Sequence, residues 1–145
     1  MKKIDQFQKI NNKLASQLKK KYPQMFKEVL EQKNCDIDET FLGFVDTYYY
    51  LSKIIPKDWT VVDFGCAFAA QAYYFIRHKA FIGVDIGNKK RFHFKNTEFY
   101  EGTIADSLKQ KPFTKKVFAI CNNVPSLETT LVRNYYPNCY IFYTA

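Results

Sequence analysis

Residues 60–86 read TVVDFGCAFAAQAYYFIRHKAFIGVDI, and their pattern decides the fold. A short β-branched run, Thr60-Val61-Val62-Asp63-Phe64, leads straight into Gly65. Residues 67–79, AFAAQAYYFIRHK, are compatible with a helix, with alanine where close packing needs a small side chain. Residues 80–86, AFIGVDI, form a second apolar strand that ends on Asp85. Strand, helix and strand in that order are the unit of a parallel sheet.

The ends of these two strands carry the chemistry. In a doubly wound sheet, ligands sit beyond the carboxyl ends of the strands, near the point where strand order reverses. Gly65 lets the backbone turn sharply there and lets a ligand come close. The helix behind it presents free N–H groups and a positive dipole end. Asp85 closes the second strand about 20 residues on, where a carboxylate accepts both hydroxyls of a ribose.

Working downstream, NTEFYEG (96–102) is a third strand, with Phe99 and Thr97 facing the core. IADSLKQK (104–111) is a short helix, and KKVFAICNN (115–123) contains a fourth strand. SLETTLVRNYY (126–136) is a helix with Ser126 as its cap, and CYIFYT (139–144) is a fifth strand. Alternating strands and helices predict a parallel sheet covered on both faces. Upstream, Ile4, Phe7, Ile10, Leu14 and Leu18 make one apolar helical stripe. Pro23 breaks it and opens a second helix with Met25, Phe26, Val29 and Leu30 on its face. NCDID (34–38) reads as a turn with capping carboxylates. A third helix over roughly 38–55 buries Phe41, Phe44, Val45, Tyr48, Leu51, Ile54 and Ile55 and ends at Pro56. The expected organisation is a helical segment, 1–58, packed on an α/β domain, 59–145.

Bulk composition narrows the classes. The chain has 145 residues, enough for one hydrophobic core, and 47% hydrophobic residues exclude a disordered composition. No apolar run reaches the roughly 20 residues that span a bilayer, so no membrane partner is expected. MKKIDQFQKINNKLA has no continuous apolar stretch behind its two lysines, and a cytoplasmic location is expected. Cys35, Cys66, Cys121 and Cys139 form no CxxC pair and lie at no zinc-like spacing from a histidine, so they read as small buried hydrophobes and no metal is expected. The net charge is +8, with lysine runs at 2–3, 19–21, 89–90 and 115–116. Such an excess favours phosphates, and nucleic acid is the expected partner class, although the runs are scattered rather than gathered in one stripe.

VVDFGCAFA followed by FIGVDI resembles the first two motifs of the class I S-adenosylmethionine-dependent methyltransferases, over roughly residues 59–145. The resemblance implies a Rossmann-like sheet in the order 3-2-1-4-5 and S-adenosylmethionine as cofactor. It implies that Asp63 and the Gly65-Cys66-Ala67 backbone border the methionine part, that Asp85 holds the ribose, and that Ile86 lies against the adenine. The family's acidic residue after the third strand corresponds to Thr103, with Asp106 a little further on. Its fourth motif corresponds to Cys121-Asn122-Asn123-Val124-Pro125, which loosely resembles the Asn-Pro-Pro-aromatic motif of amino-methylating enzymes. Asn122 is then the group that holds an acceptor amine, with Asn123 and Pro125 shaping the loop. The chain departs from the family in two places. Ala67 and Ala69 stand where Gly-x-Gly-x-Gly is usual, and the family's last two strands are missing.

Two readings follow: a methyltransferase, or a non-catalytic cofactor-binding or partner-binding module of the same fold. The aromatic run Tyr48-Tyr49-Tyr50 reads as core on one side and interface on the other. His78 and His93, far apart and beside lysines, are not expected to be catalytic. The last strand would leave an apolar sheet edge, which predicts a homodimer through that strand or the adjoining helix.

Overall fold

The computed structural model describes residues 3–32, 35, 45–110, 116–122, 124–135 and 140–143. Most of the expected 34–38 turn, the start of the third helix, Asn123 and Cys139 lie outside these residues. The sheet is built from β1 (Thr60–Phe64), β2 (Ala80–Asp85), β3 (Thr97–Glu101) and β4 (Val117–Cys121), in the order β3-β2-β1-β4. A four-residue β5 (Tyr140–Tyr143) pairs along the outer side of β4. Every pairing is parallel, with Val62 opposite both Ile82 and Ala119.

Alternation along each strand splits the core in two. Val61, Phe81 and Ile120 point to one face. There they meet Leu14 and Leu18 of α1 (Lys3–Lys21), Val29 of α2 (Pro23–Glu31) and Leu51 of α3 (Val45–Ile54). Val62, Phe64, Ile82, Val84 and Ala119 point to the other. That face is covered by Leu108 of α4 (Ile104–Gln110) and Val132 of α5 (Ser126–Tyr135). The expected helices on both faces of a parallel sheet are therefore present. Pro23 opens α2 as expected, and Tyr22 takes the N-cap position.

Two local expectations are corrected. Ile54, expected on the buried face of α3, is 70% exposed, whereas its neighbour Ile55 is buried as expected. The segment after β1 is not a full α-helix. It is a 3-10 helix of six residues, Ala70–Phe75, entered from Ala69. Left-handed backbone at Gly65, Ala67 and Ala69 delays the helical stretch to Ala70, and three-residue bonds from Ala72 N–H to Ala69 carbonyl, Ile76 N–H to Tyr73 carbonyl and His78 N–H to Phe75 carbonyl keep it 3-10 in form. Ala70, Gln71, Ala72 and Phe75 face inward, so the alanines give the close packing that the sequence suggested. No described helix is long and apolar enough to cross a membrane.

Candidate functional site

The turn after β1 has alternating left-handed residues. Gly65, Ala67 and Ala69 have φ of 80°, 49° and 62°. These are the positions of the glycine pattern, and their backbone shape is kept although two of them carry a Cβ. Left-handed geometry costs an L-residue roughly 1–2 kcal/mol. The turn is held against that cost by hydrogen bonds. Gly65 and Cys66 N–H donate to Val84 carbonyl at 2.7 and 3.2 Å, and Ala67 N–H donates to Asp85 Oδ2 at 2.6 Å. Ala69 N–H donates to Cys66 carbonyl at 2.9 Å. A Cβ built on Gly65 would meet only Val124 Cγ2, at 3.8 Å, so the space beside it is open.

Asp85 sits at the carboxyl end of β2 and faces this turn. Its Oδ2 takes the Ala67 N–H and its Oδ1 takes the N–H of Ile86 at 2.7 Å. Ile86 is 63% exposed. The sequence placed Asp85, Ile86, Gly65 and Ala67 together, and they lie together at this edge.

Asp63 is turned away from it. The carboxyl is fully buried, accepting from Tyr48 Oη at 2.8 Å and from Gln71 Nε2 at 2.9 Å. Gln71 Nε2 also donates to the Cys66 carbonyl at 2.9 Å. Burial pushes the Asp63 carboxyl up to about 7, against the lowering effect of Gln71 and Tyr48. Burial, followed by the charge of Asp63, likewise raises the Tyr48 hydroxyl. Asn122 is buried beside Tyr48 and counts in the opposite direction. The result is one inward network, Gln71–Asp63–Tyr48, with Asn122 beside it. Burial also drives the Cys66 thiol far up, which removes it as a nucleophile.

Thr103 is exposed, and its Oγ1 accepts the Asp106 N–H at 3.1 Å, which caps the first turn of α4. Pro125 is exposed, and its carbonyl accepts the N–H of Thr129 at 3.0 Å. His78 is bonded through Nε2 to the Ile55 carbonyl at 2.9 Å, just before β2 and so at the opposite edge of the sheet. Neither it nor the exposed His93 reaches the turn. Among the described residues no group of His, Cys, Asp and Glu could hold a metal ion.

Sequence reading missed two residues here. Arg91 lies in the loop between β2 and β3, with a side chain only 3% exposed. Its guanidinium donates to the carbonyls of Ala67 at 3.0 Å and Gly87 at 3.2 Å, pairs with Glu101 at 3.0 Å and lies over the Phe99 ring. It ties the turn to the ends of β2 and β3. In sequence it was one cation in the basic run 88–95, and no local signal sets it apart. The other residue is Gly83, where a Cβ would sit 2.7 Å from Cys66 Sγ and from Phe99 Cδ1. A glycine inside an apolar strand was the available sign of such an approach.

No family profile matches the chain, and no curated protein does. Solved structures do match in fold. Coclaurine N-methyltransferase, bound to N-methylheliamine and SAH, aligns over 98% of this chain and 49% of its own, with a TM-score of 0.50 and 12% identity. A protein described as a type II methyltransferase from Anaeromyxobacter dehalogenans aligns over 67% of this chain and 43% of its own, with a TM-score of 0.52 and 12% identity. The PRMT1 enzyme–prozyme complex of Trypanosoma brucei with AdoHcy aligns over 53% and 27%, with a TM-score of 0.42 and 19% identity. The chain thus spans less than half the length of these proteins. It has the fold of the class I S-adenosylmethionine-dependent methyltransferases.

Proposed function

We propose that the carboxyl edge of β1 and β2 binds S-adenosylmethionine in a methyltransferase-like protein. The observation that carries this is the turn at 65–69, left-handed at three alternate positions and hydrogen-bonded to Asp85.

The residues fit the group. Gly65 leaves open space beside the backbone. Each Asp85 oxygen accepts one N–H, which leaves a lone pair on each for a ribose hydroxyl. The exposed Ile86 offers an apolar surface for the adenine. Cys66 and Ala67 border the site through their backbone. Asp63 acts indirectly: it holds Gln71, which holds the Cys66 carbonyl. Thr103 keeps its hydroxyl proton as a donor at the adenine end. When bound, the cofactor supplies a methyl group already activated by a sulfonium, so the protein's task is to position an acceptor and exclude water.

One observation favours binding without turnover. The Asn122 side chain, the sequence's candidate for holding an acceptor amine, is only 6% exposed and lies beside Tyr48. Titration calorimetry with S-adenosylmethionine and S-adenosylhomocysteine tests the site. Saturable binding by the wild type, lost in Asp85→Ala, is the expected result. At a hundredfold excess over Kd, binding should also raise Tm by about 5–10 °C. Absence of heat and of any Tm change at millimolar ligand would overturn the proposal. Transfer of labelled methyl to pooled RNA, DNA and protein separates an enzyme from a binding module.

A further inference from the structure

The lysines that look scattered along the chain converge in space. Two adjoining cavities, about 540 Å³ and 360 Å³, lie on the outer side of the layer formed by α1, α3 and the 3-10 helix. They share Tyr49, Lys53 and Tyr74, so they are two parts of one groove. Lys13, Lys21, Lys53, Lys57 and Arg77 reach it from separate segments. Among the described residues no acidic side chain lines either part, and none of the five cations forms an ion pair with one of them.

The groove is also aromatic. α3 sends Tyr48 inward to Asp63 and turns Tyr49 and Tyr50 outward. The 3-10 helix buries Ala72 and Phe75 and turns Tyr73 and Tyr74 outward. Tyr49 meets Tyr50 and Tyr74 edge to face, with ring centroids 5.3 and 5.5 Å apart. Lys53 Nζ lies 5.0 Å from the Tyr49 ring centre, and Lys21 Nζ donates to Tyr73 Oη at 2.6 Å. Tyr50 is 52% exposed, so part of its ring is open to a ligand.

Cations with no acidic partner among the described residues, interleaved with tyrosine rings, suit a chain of phosphates whose bases are unpaired. Lysine neutralises phosphate without reading sequence, and a ring stacks on any base. A duplex keeps its base faces stacked on each other and cannot use the rings. An acidic peptide would use the cations but leave the rings without a matching surface. We propose that this groove binds single-stranded nucleic acid, with Tyr50 and Tyr49 stacking bases and Lys13, Lys53, Lys57 and Arg77 holding phosphates. The proposal does not depend on the cofactor reading.

The test uses the full chain and fluorescein-labelled oligo-U and oligo-dT of about 12 nucleotides, within the span of known single-strand sites. Fluorescence anisotropy should show saturable binding that weakens with salt, by roughly 0.7 log units per log unit of salt for each phosphate neutralised. Tyr50→Ala should weaken binding about tenfold, the lower part of the range for loss of one stacked base. Lys13→Glu with Lys53→Glu should weaken it further and flatten the salt slope. Lys109→Glu, on α4 across the sheet, should leave it unchanged. Circular dichroism confirms that each variant is folded, and cofactor titration of the Lys53→Glu variant keeps the two sites apart. The proposal is overturned by absence of binding at low salt, by Tyr50→Ala binding as the wild type does, or by duplex or heparin competing as well as the single strand.

Discussion

Asp85 Oδ2 accepts the backbone N–H of Ala67 at 2.6 Å across 18 residues of sequence. This bond joins the end of β2 to the one residue of the turn with the smallest positive φ, 49°. It therefore holds the strained backbone in place before any ligand arrives. Asp85→Ala should destabilise the protein by about 1–3 kcal/mol, the usual result of leaving backbone donors without their acceptor. Ala67→Gly should do the reverse. It relieves roughly 1–2 kcal/mol of left-handed strain and gives back about 0.5–1 kcal/mol in unfolded-chain entropy, for a net gain of at most about 1.5 kcal/mol. Urea unfolding of the two variants beside wild type checks both signs.

Asp63 should make stability fall as pH rises. Its folded carboxyl titrates at about 7, against an ordinary value of 3.8. Below the lower value both states are protonated and nothing changes. Between the two, the unfolded chain has released its proton while the folded chain still holds it, so stability declines with pH. Above the folded value the loss is complete. The full swing is on the order of 4 kcal/mol. Asp63→Asn keeps an acceptor for Tyr48 and removes the titration. Unfolding curves from pH 4 to pH 8 should therefore be flatter in the variant, and an unchanged slope would mean that Asp63 is ionised in the fold.

Arg91→Lys should not behave as a conservative change. The guanidinium reaches the Ala67 and Gly87 carbonyls and the Glu101 carboxylate at once, and its side chain is 3% exposed. A lysine ammonium cannot fork to all three, and the carbonyls left behind are costly to strand. The expected loss is about 2–4 kcal/mol by chemical denaturation, with weaker cofactor binding because the turn is no longer tied to β3.

How much of this was legible in the sequence depends on range. Gly65 and Asp85 were readable because strand, turn and strand are local, and the spacing itself places both at one edge. The apolar stripe of α1 was readable for the same reason: Leu14 and Leu18 are 1% and 0% exposed. Ala67 and Ala69 depart from the glycine pattern in sequence, yet their left-handed backbone is set by hydrogen bonds to Asp85, Arg91 and Cys66 that periodicity does not reveal. Tyr48 was assigned to the core, but its bond to Asp63 joins separate elements and left no trace in the pattern. The family's fourth motif puts Asn122 at an acceptor, but the chain buries it beside the same tyrosine, and a motif match carries no sign of that burial. The lysines looked dispersed because the groove that gathers them is assembled from α1, α3 and the 3-10 helix.

The brevity of that 3-10 helix has a kinetic consequence. A crossover connection commonly covers its own sheet face with a helix made between the two strands it joins. Here much of the cover comes from α1 and α2, so Leu14, Leu18 and Val29 must find Val61, Phe81 and Ile120 from far along the chain. The entropy of closing such long loops is spent before the contacts form, and domains rich in distant pairings fold more slowly than helical ones of similar size. Trp59, the only tryptophan, packs against this shared face, so its fluorescence reports the arrival of the cover in a stopped-flow refolding experiment.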